Sequence, residues 1–105
     1  MSATDSFENA LLNLIFSNTD AANVGDGTGL RGSSTAGSFY ISLHTASPGE
    51  TGTQATSETV YTNYARVAVA RAAAQWTATA GVCDNDNAIT FAQCGATGAT
   101  LTDFG

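Results

Sequence analysis

The sequence predicts an all-β sandwich or barrel with one N-terminal α-helix. Three observations carry that expectation. Apolar residues recur at helical spacing only in residues 5–17. From Phe39 onward, short runs alternate or concentrate β-branched and aromatic residues. Turn signals separate those runs at intervals of about ten residues, as in sandwiches and barrels. The 105 residues suit a single domain. Its expected division is a helix with a glycine-rich arm over 1–37 and a β-sandwich domain over 38–105.

The helix is predicted over residues 5–17. Asp5 is placed to cap it, and Glu8 three residues later completes a capping-box-like start with negative charge near the N-terminus. Phe7, Leu11, Leu14 and Ile15 form one apolar stripe, widened by Leu12 and Phe16. The polar side is thin: Asn9, Asn13 and Ser17. Such a helix needs cover, either from its own domain or from a neighbouring subunit.

Residues 18–37 read as a connector with Gly25, Gly27, Gly29, Gly32 and Gly37, an Asp26-Gly27 turn, and room for a short strand near Leu30. No Lys-Ser/Thr pair follows these glycines and no strand precedes them, so neither nucleotide-binding fingerprint is met. Phe39 to Thr45 alternates. Phe39, Ile41 and Leu43 point one way; Tyr40, Ser42 and His44 point the other. Pro48-Gly49 ends it in an exposed loop over 46–57. Glu58 to Arg71 is expected to be one long strand covered on both faces, with an alanine-rich helix over 65–74 as the competing reading. Gln75–Thr79 is a further strand turned by Ala80-Gly81, and Asp84–Asn87 a loop. Ala88–Phe91 and Ala99–Phe104 are the last two strands, with a turn over Gly95–Gly98 between them. The pattern breaks off at Phe104-Gly105, which suggests a longer natural chain or an end that pairs with another subunit.

Composition excludes several functions. Charged residues make up 11% of the chain, against about 25% in average soluble domains. That low charge suits a surface occupied by other protein, or simply a secreted or phage-type composition. The net charge of −6 comes from nine acids against Arg31, Arg66 and Arg71, with no lysine. Three scattered cations do not make a phosphate-binding patch, so nucleic acid is not an expected partner. Neither is a membrane: Ala10–Phe16 is too short an apolar run to span a bilayer. No basic segment marks a signal peptide, so the chain reads as cytosolic in origin. Cys83 and Cys94 flank an expected hairpin; a bridge and two free thiols both remain open.

No constellation announces catalysis. The Asp84-Asn85-Asp86-Asn87 run starts like a calcium loop but lacks the glycine and the closing glutamate. His44 is the sole histidine, no Gly-x-Ser-x-Gly elbow accompanies it, and a surface or half-buried hydrogen-bonding role is expected. Glu50 and Glu58 have no sequence relation that pairs them. No catalytic residue, metal site or cofactor is expected. Tyr40, Tyr61, Tyr64 and Trp76 could form a contact platform for glycan or protein, or belong to the core.

The run from Ser38 to Gly52, then Thr56-Ser57-Glu58, then Tyr61-Thr62-Asn63-Tyr64-Ala65-Arg66-Val67 resembles a family of small tailed-bacteriophage virion proteins. Trp76 and Ile89-Thr90-Phe91 fit the same pattern, and the likeness covers about residues 36–91. The chain departs from it at Gln93–Ala96, where the family carries a more apolar Pro/Ala segment, and members continue past Gly105. Members are often labelled tail-fibre proteins. Similar capsid cement (decoration) proteins are small jelly-roll or sandwich domains assembled as trimers on the shell.

Beside the N-terminal α-helix read above, the resemblance implies an all-β, jelly-roll-like sandwich or barrel and no catalytic residues. It implies a cement protein on the outer capsid surface, made in the host cytoplasm, with the major capsid protein and its own homotrimer as partners. A tail-fibre or tail-tip component with a host-binding role is the alternative. Phe7, Leu11, Leu14, Ile15, Leu30 and Arg31 are the candidate capsid or intersubunit contacts.

Overall fold

The structure is a computed structural model that describes residues 4–22, 24, 29–96 and 100–105. Gly25, the Asp26-Gly27 turn, the Gly98 end of the late turn and the Ala99 start of the last strand lie outside the described residues. The elements, in chain order, are α1 (Asp5–Phe16), β1 (Ser38–Ile41), β2 (Leu43–His44), β3 (Val67–Ala70), β4 (Trp76–Thr79), β5 (Val82–Asn85) and β6 (Asp103–Phe104). The strands pair as three two-stranded sheets, β1-β3, β2-β6 and β4-β5. Strands thus predominate beside one N-terminal helix, and no closed barrel forms among the described residues. Contacts divide the chain into two compact units, Met1–Phe39 with Ala70–Ala88 and Tyr40–Val69 with Ile89–Gly105.

In the first unit α1 packs on the β4-β5 hairpin. Its N-cap is Thr4, not Asp5: Thr4 is extended, and its hydroxyl accepts from the Phe7 N–H at 3.4 Å. Asp5 and Glu8 lie in the first turn instead, at the positive end of the helix dipole. The helix stops at Ser17, and Asn18 follows at φ 54°, a left-handed conformation that asparagine tolerates.

The hairpin register is Thr79↔Val82, Ala78↔Cys83, Thr77↔Asp84 and Trp76↔Asn85. Ala80 (φ 51°) and Gly81 (φ 75°) form its two-residue turn, with positive φ at both positions as the strand twist requires. A Cβ at Gly81 would meet only the movable end of the Glu8 side chain, so it is the positive φ that calls for glycine there. Asn9 ties the helix to the turn by accepting from the Gly81 N–H at 2.9 Å. This tight turn carries Asp84 and Asn85 into a strand, where the sequence suggests a loop. Phe16, Phe39 and Trp76 close the unit as an aromatic cluster, with ring centroids 5.0–5.8 Å apart. The strand suggested near Leu30 is a single bridge to Ala21.

In the second unit β2 and β6 are antiparallel, with Leu43↔Phe104 and His44↔Asp103. Ser42 and Gly105 extend this ladder by exchanging N–H···O bonds of 2.7 and 2.8 Å. On the other side Thr45 donates to the Ser57 carbonyl and Thr59 to that of Leu43, both at 2.9 Å. Residues 42–45 therefore run between 57–59 and 102–105.

Several expectations are corrected. The Phe39–Thr45 run is two strands, because the chain changes partner along it: β1 pairs with β3, and β2 pairs with β6. The Glu58–Arg71 strand shrinks to β3. Tyr61 and Tyr64 close a turn through a 2.9 Å bond, and Asn63 sits at φ 75°, so the chain cannot stay extended there. β3 is covered on one face only: Val69 is buried, while Ala68 and Ala70 are exposed. The competing helix over 65–74 does not form. Ala88–Phe91 is not a strand.

Candidate functional site

Two constructions of side chains stand out. The first is a groove of about 390 Å³ in the first unit, lined by Leu14, Ile15, Arg31, Gly32, Ser33, Phe39 and Arg71. The end of α1 supplies Leu14 and Ile15. The 31–33 segment is held against the helix end by side chains that act as backbone: Asn18 accepts from the Ser33 N–H at 2.7 Å and donates to the Ser33 carbonyl at 2.9 Å. Asp20 accepts from the Gly32 N–H at 2.7 Å.

Arg71 organises this end of the helix. It donates from Nη2 to the Leu14 carbonyl at 2.9 Å, from Nε to that of Ile15 at 2.6 Å, and from Nη1 to that of Ala36 at 2.9 Å. The last turn of α1 contains no basic residue of its own. Arg71 supplies that missing charge and satisfies carbonyls the helix leaves open. No local signal marks this role, since the carbonyls lie 56 and 57 residues away in sequence.

The second construction is a polar network in the second unit. Glu58 receives Arg66 in a two-pronged pair, Nε to Oε1 at 2.8 Å and Nη2 to Oε2 at 2.7 Å. Tyr64 donates to Oε1 at 2.7 Å, and the Leu43 N–H donates to the Tyr64 hydroxyl at 3.1 Å. Arg66 also reaches the Gln54 side chain at 3.2 Å. The Arg66 and Tyr64 hydrogen bonds hold the Glu58 carboxyl at about 2, well below its usual 4.5. Burial, with Glu58 beside it, pushes the Tyr64 phenol up. Tyr61 lies edge-on to Tyr64 and donates to the Ala92 carbonyl at 2.8 Å, and Phe91 stacks on Tyr64.

His44 corrects the expectation of a surface or half-buried side chain: it is 1% exposed. Nδ1 lies 2.8 Å from the Thr56 carbonyl, which can only accept, so Nδ1 carries a proton. Nε2 lies 2.9 Å from the Ser42 hydroxyl, and Ser42 is itself 2% exposed. In a neutral ring Nε2 therefore accepts from that hydroxyl. The arrangement has the outline of a serine–histidine dyad, but a backbone carbonyl orients the ring and both side chains are buried.

The predicted contact residues scatter between these constructions. Leu14, Ile15 and Arg31 line the groove, and Leu30 stands beside them in sequence, partly exposed. Phe7 is exposed on the first turns of α1, and Leu11 is half-buried at its middle. Of the four platform aromatics, Tyr61 and Tyr64 meet in the second unit, Tyr40 is exposed there, and Trp76 is buried in the first. Phe39, Gln54, Glu58, Arg66 and Arg71 are structural or groove residues that sequence reasoning did not select.

Cys83 and Cys94 are both free thiols. Burial pushes the Cys83 thiol up, with Asp84 and Asp86 adding to it. Asp86 accepts from the Thr77 hydroxyl at 2.7 Å and braces the hairpin. Among the described residues no group of acids, histidine and cysteines could hold a metal ion, and no helix is long and apolar enough to cross a membrane.

The segments that meet in the second network, Gln54–Glu58 and Tyr61–Val67, are those that carry the phage-protein resemblance. A family model described as Podophage GP4 fiber I protein gp80 matches residues 2–105. The chain belongs to this family. As a gp80-family protein it is a structural protein of a phage particle, and its location is the virion. No curated protein and no solved structure matches it significantly. In this gp80-family chain the Glu58–Tyr64–Arg66 network spends each of the three side chains on the others.

Proposed function

We propose that this gp80-family protein is a non-enzymatic adhesive component of a tail fibre, with a role in host attachment. The observation that supports this reading is the family match across nearly the whole chain, whose description names a fibre. Its working parts would be surfaces rather than reacting groups. Ser42 and His44 are shut away from solvent, and Glu58 is held by Arg66 and Tyr64. Of the four platform aromatics Tyr40 is the exposed one, and it would be the glycan or protein contact among them.

A second reading is a capsid cement protein, jelly-roll-like and homotrimeric, on the outer surface of the head against the major capsid protein. The exposed apolar side chains of Phe7 and Ile15 on α1 would supply footprints for it. Three linked weak footprints would then add through effective concentration.

Cryo-electron microscopy of particles with and without this protein separates the two. Density lost from the tail fibres, with reduced adsorption to host cells, is the expected result. Density lost from three-fold positions of the head moves the protein to the cement role. Particles unchanged at both places would end both readings.

A further inference from the structure

We propose that the groove lined by Leu14, Ile15, Phe39, Arg31 and Arg71 docks an extended segment of a neighbouring virion polypeptide, one carrying a carboxylate next to a bulky apolar side chain. The partner's origin rests on the virion reading above; its chemistry rests on the groove alone.

Charge is the first argument. The chain has three cations and nine acids. Arg66 is closed by its two-pronged pair with Glu58, and the other two cations line this one groove. A surface this acidic repels anions everywhere except where its positive charge is gathered.

The two arginines divide the work. Arg71 is committed to the Leu14, Ile15 and Ala36 carbonyls, so the negative end of α1 is already neutralised and does not oppose an incoming carboxylate. Arg31 supplies the attraction. Its side chain is 62% exposed, and its contact with Asp20 is a long 4.0 Å, while the other Asp20 oxygen is held by the Gly32 N–H. A carboxylate delivered to Arg31 can form the shorter, forked pair that Asp20 does not.

The apolar wall is the second argument. Leu14, Ile15 and Phe39 face a space of about 390 Å³, and Ile15 is 47% exposed. That space lies at the small end of ligand pockets, roughly 300–1,000 Å³, and suits one or two side chains of an extended strand rather than a docked helix. Phosphate-rich nucleic acid fits poorly, because it would use the cations and leave the apolar wall uncovered.

The test uses the full chain, isotope-labelled, titrated with a capped hexapeptide Gly-Ser-Asp-Phe-Ser-Gly and two controls, one with Asn for Asp and one with Ser for Phe. The Asp-Phe peptide is expected to shift the amides of Leu14, Ile15, Arg31, Ser33 and Phe39. Each control should bind about tenfold more weakly. Arg31→Gln should keep the native spectrum and lose the preference for Asp over Asn. Equal binding of the three peptides, no binding at millimolar concentration, or shifts confined to other residues would overturn the proposal. Sedimentation of the wild type and of Arg31→Gln is run alongside. Self-association that Arg31→Gln abolishes would identify the occupant as a second copy of the chain and likewise overturn a foreign partner. Particle imaging decides the virion role independently of this titration.

Discussion

Glu58 accepts three hydrogen bonds through its two carboxylate oxygens, one from Tyr64 and two from Arg66. Arg66 first and Tyr64 second lower its folded-state pKa to about 2. A carboxylate depressed in this way contributes stability that is complete above the unfolded value, near 4.5, and is lost as pH falls through that value toward 2. The loss should be about 2 kcal/mol once solvent screening of the partly exposed Arg66 is allowed for. Urea unfolding at pH 6 and pH 2.5 measures it. Glu58→Gln should be less stable than wild type at pH 6 and should lose less on acidification; parallel pH profiles would remove Glu58 from this role. The same cluster shows where two tyrosine hydroxyls go, which the sequence left open. In one dimension Tyr61 and Tyr64 read as a contact platform or as core, and in three their hydroxyls are committed to Ala92 and Glu58.

The element that depends most on a distant residue is α1. Helix periodicity makes it visible in the sequence, and the Thr4 cap shifts its start by only one residue. Its other end is invisible locally, because the cation that closes it is Arg71. Arg71→Ala should destabilise the protein by about 2 kcal/mol, from lost charge-assisted bonds and an exposed helix end. Hydrogen exchange should rise first in the last turn of α1. Arg71→Lys should recover only part of the loss, since an ammonium cannot reach several carbonyls with a planar fork. The β4-β5 hairpin offers the opposite change. Ala80 holds φ 51°, a conformation costly for a residue with a Cβ. Ala80→Gly should therefore stabilise by about 1 kcal/mol and raise Tm by about 5 °C in a thermal melt. An unchanged or lowered Tm would mean that the methyl group contributes packing that outweighs its strain.

At the level of the whole molecule, charge governs what can bind. The net charge of −6 and the absence of lysine leave no path for a phosphate backbone. In a mobility-shift assay at 0.15 M salt, duplex DNA should run unretarded at any practical protein concentration. Retardation that weakens with salt would show that the arginines gather into a patch larger than the groove. Helix, small sheets and tight turns suit a family whose members serve a particle structurally. The low charged fraction fits a chain with much of its surface given to contact.

Local spacing and turn chemistry carried a good part of this protein. The apolar stripe marked α1, the alternation from Phe39 placed Ser42 and His44 on one side, Ala80-Gly81 marked the hairpin turn, and the Tyr61–Val67 motif pointed to phage virion proteins. These features involve residues a few positions apart, so one dimension suffices to see them. Burial was another matter. Alternation put Phe39, Ile41 and Leu43 on the side expected to be covered, yet Ser42 and His44 are the residues enclosed, because Nδ1 of His44 meets the Thr56 carbonyl and Nε2 meets the Ser42 hydroxyl. The long strand after Glu58 gave way to a turn because Glu58, Tyr64 and Arg66 gain more by bonding one another than by lying extended. Arg71 and the groove exist only where segments far apart in sequence meet. Tertiary contact alone selected them, since the energy that decides burial and capping comes from groups the local sequence does not contain.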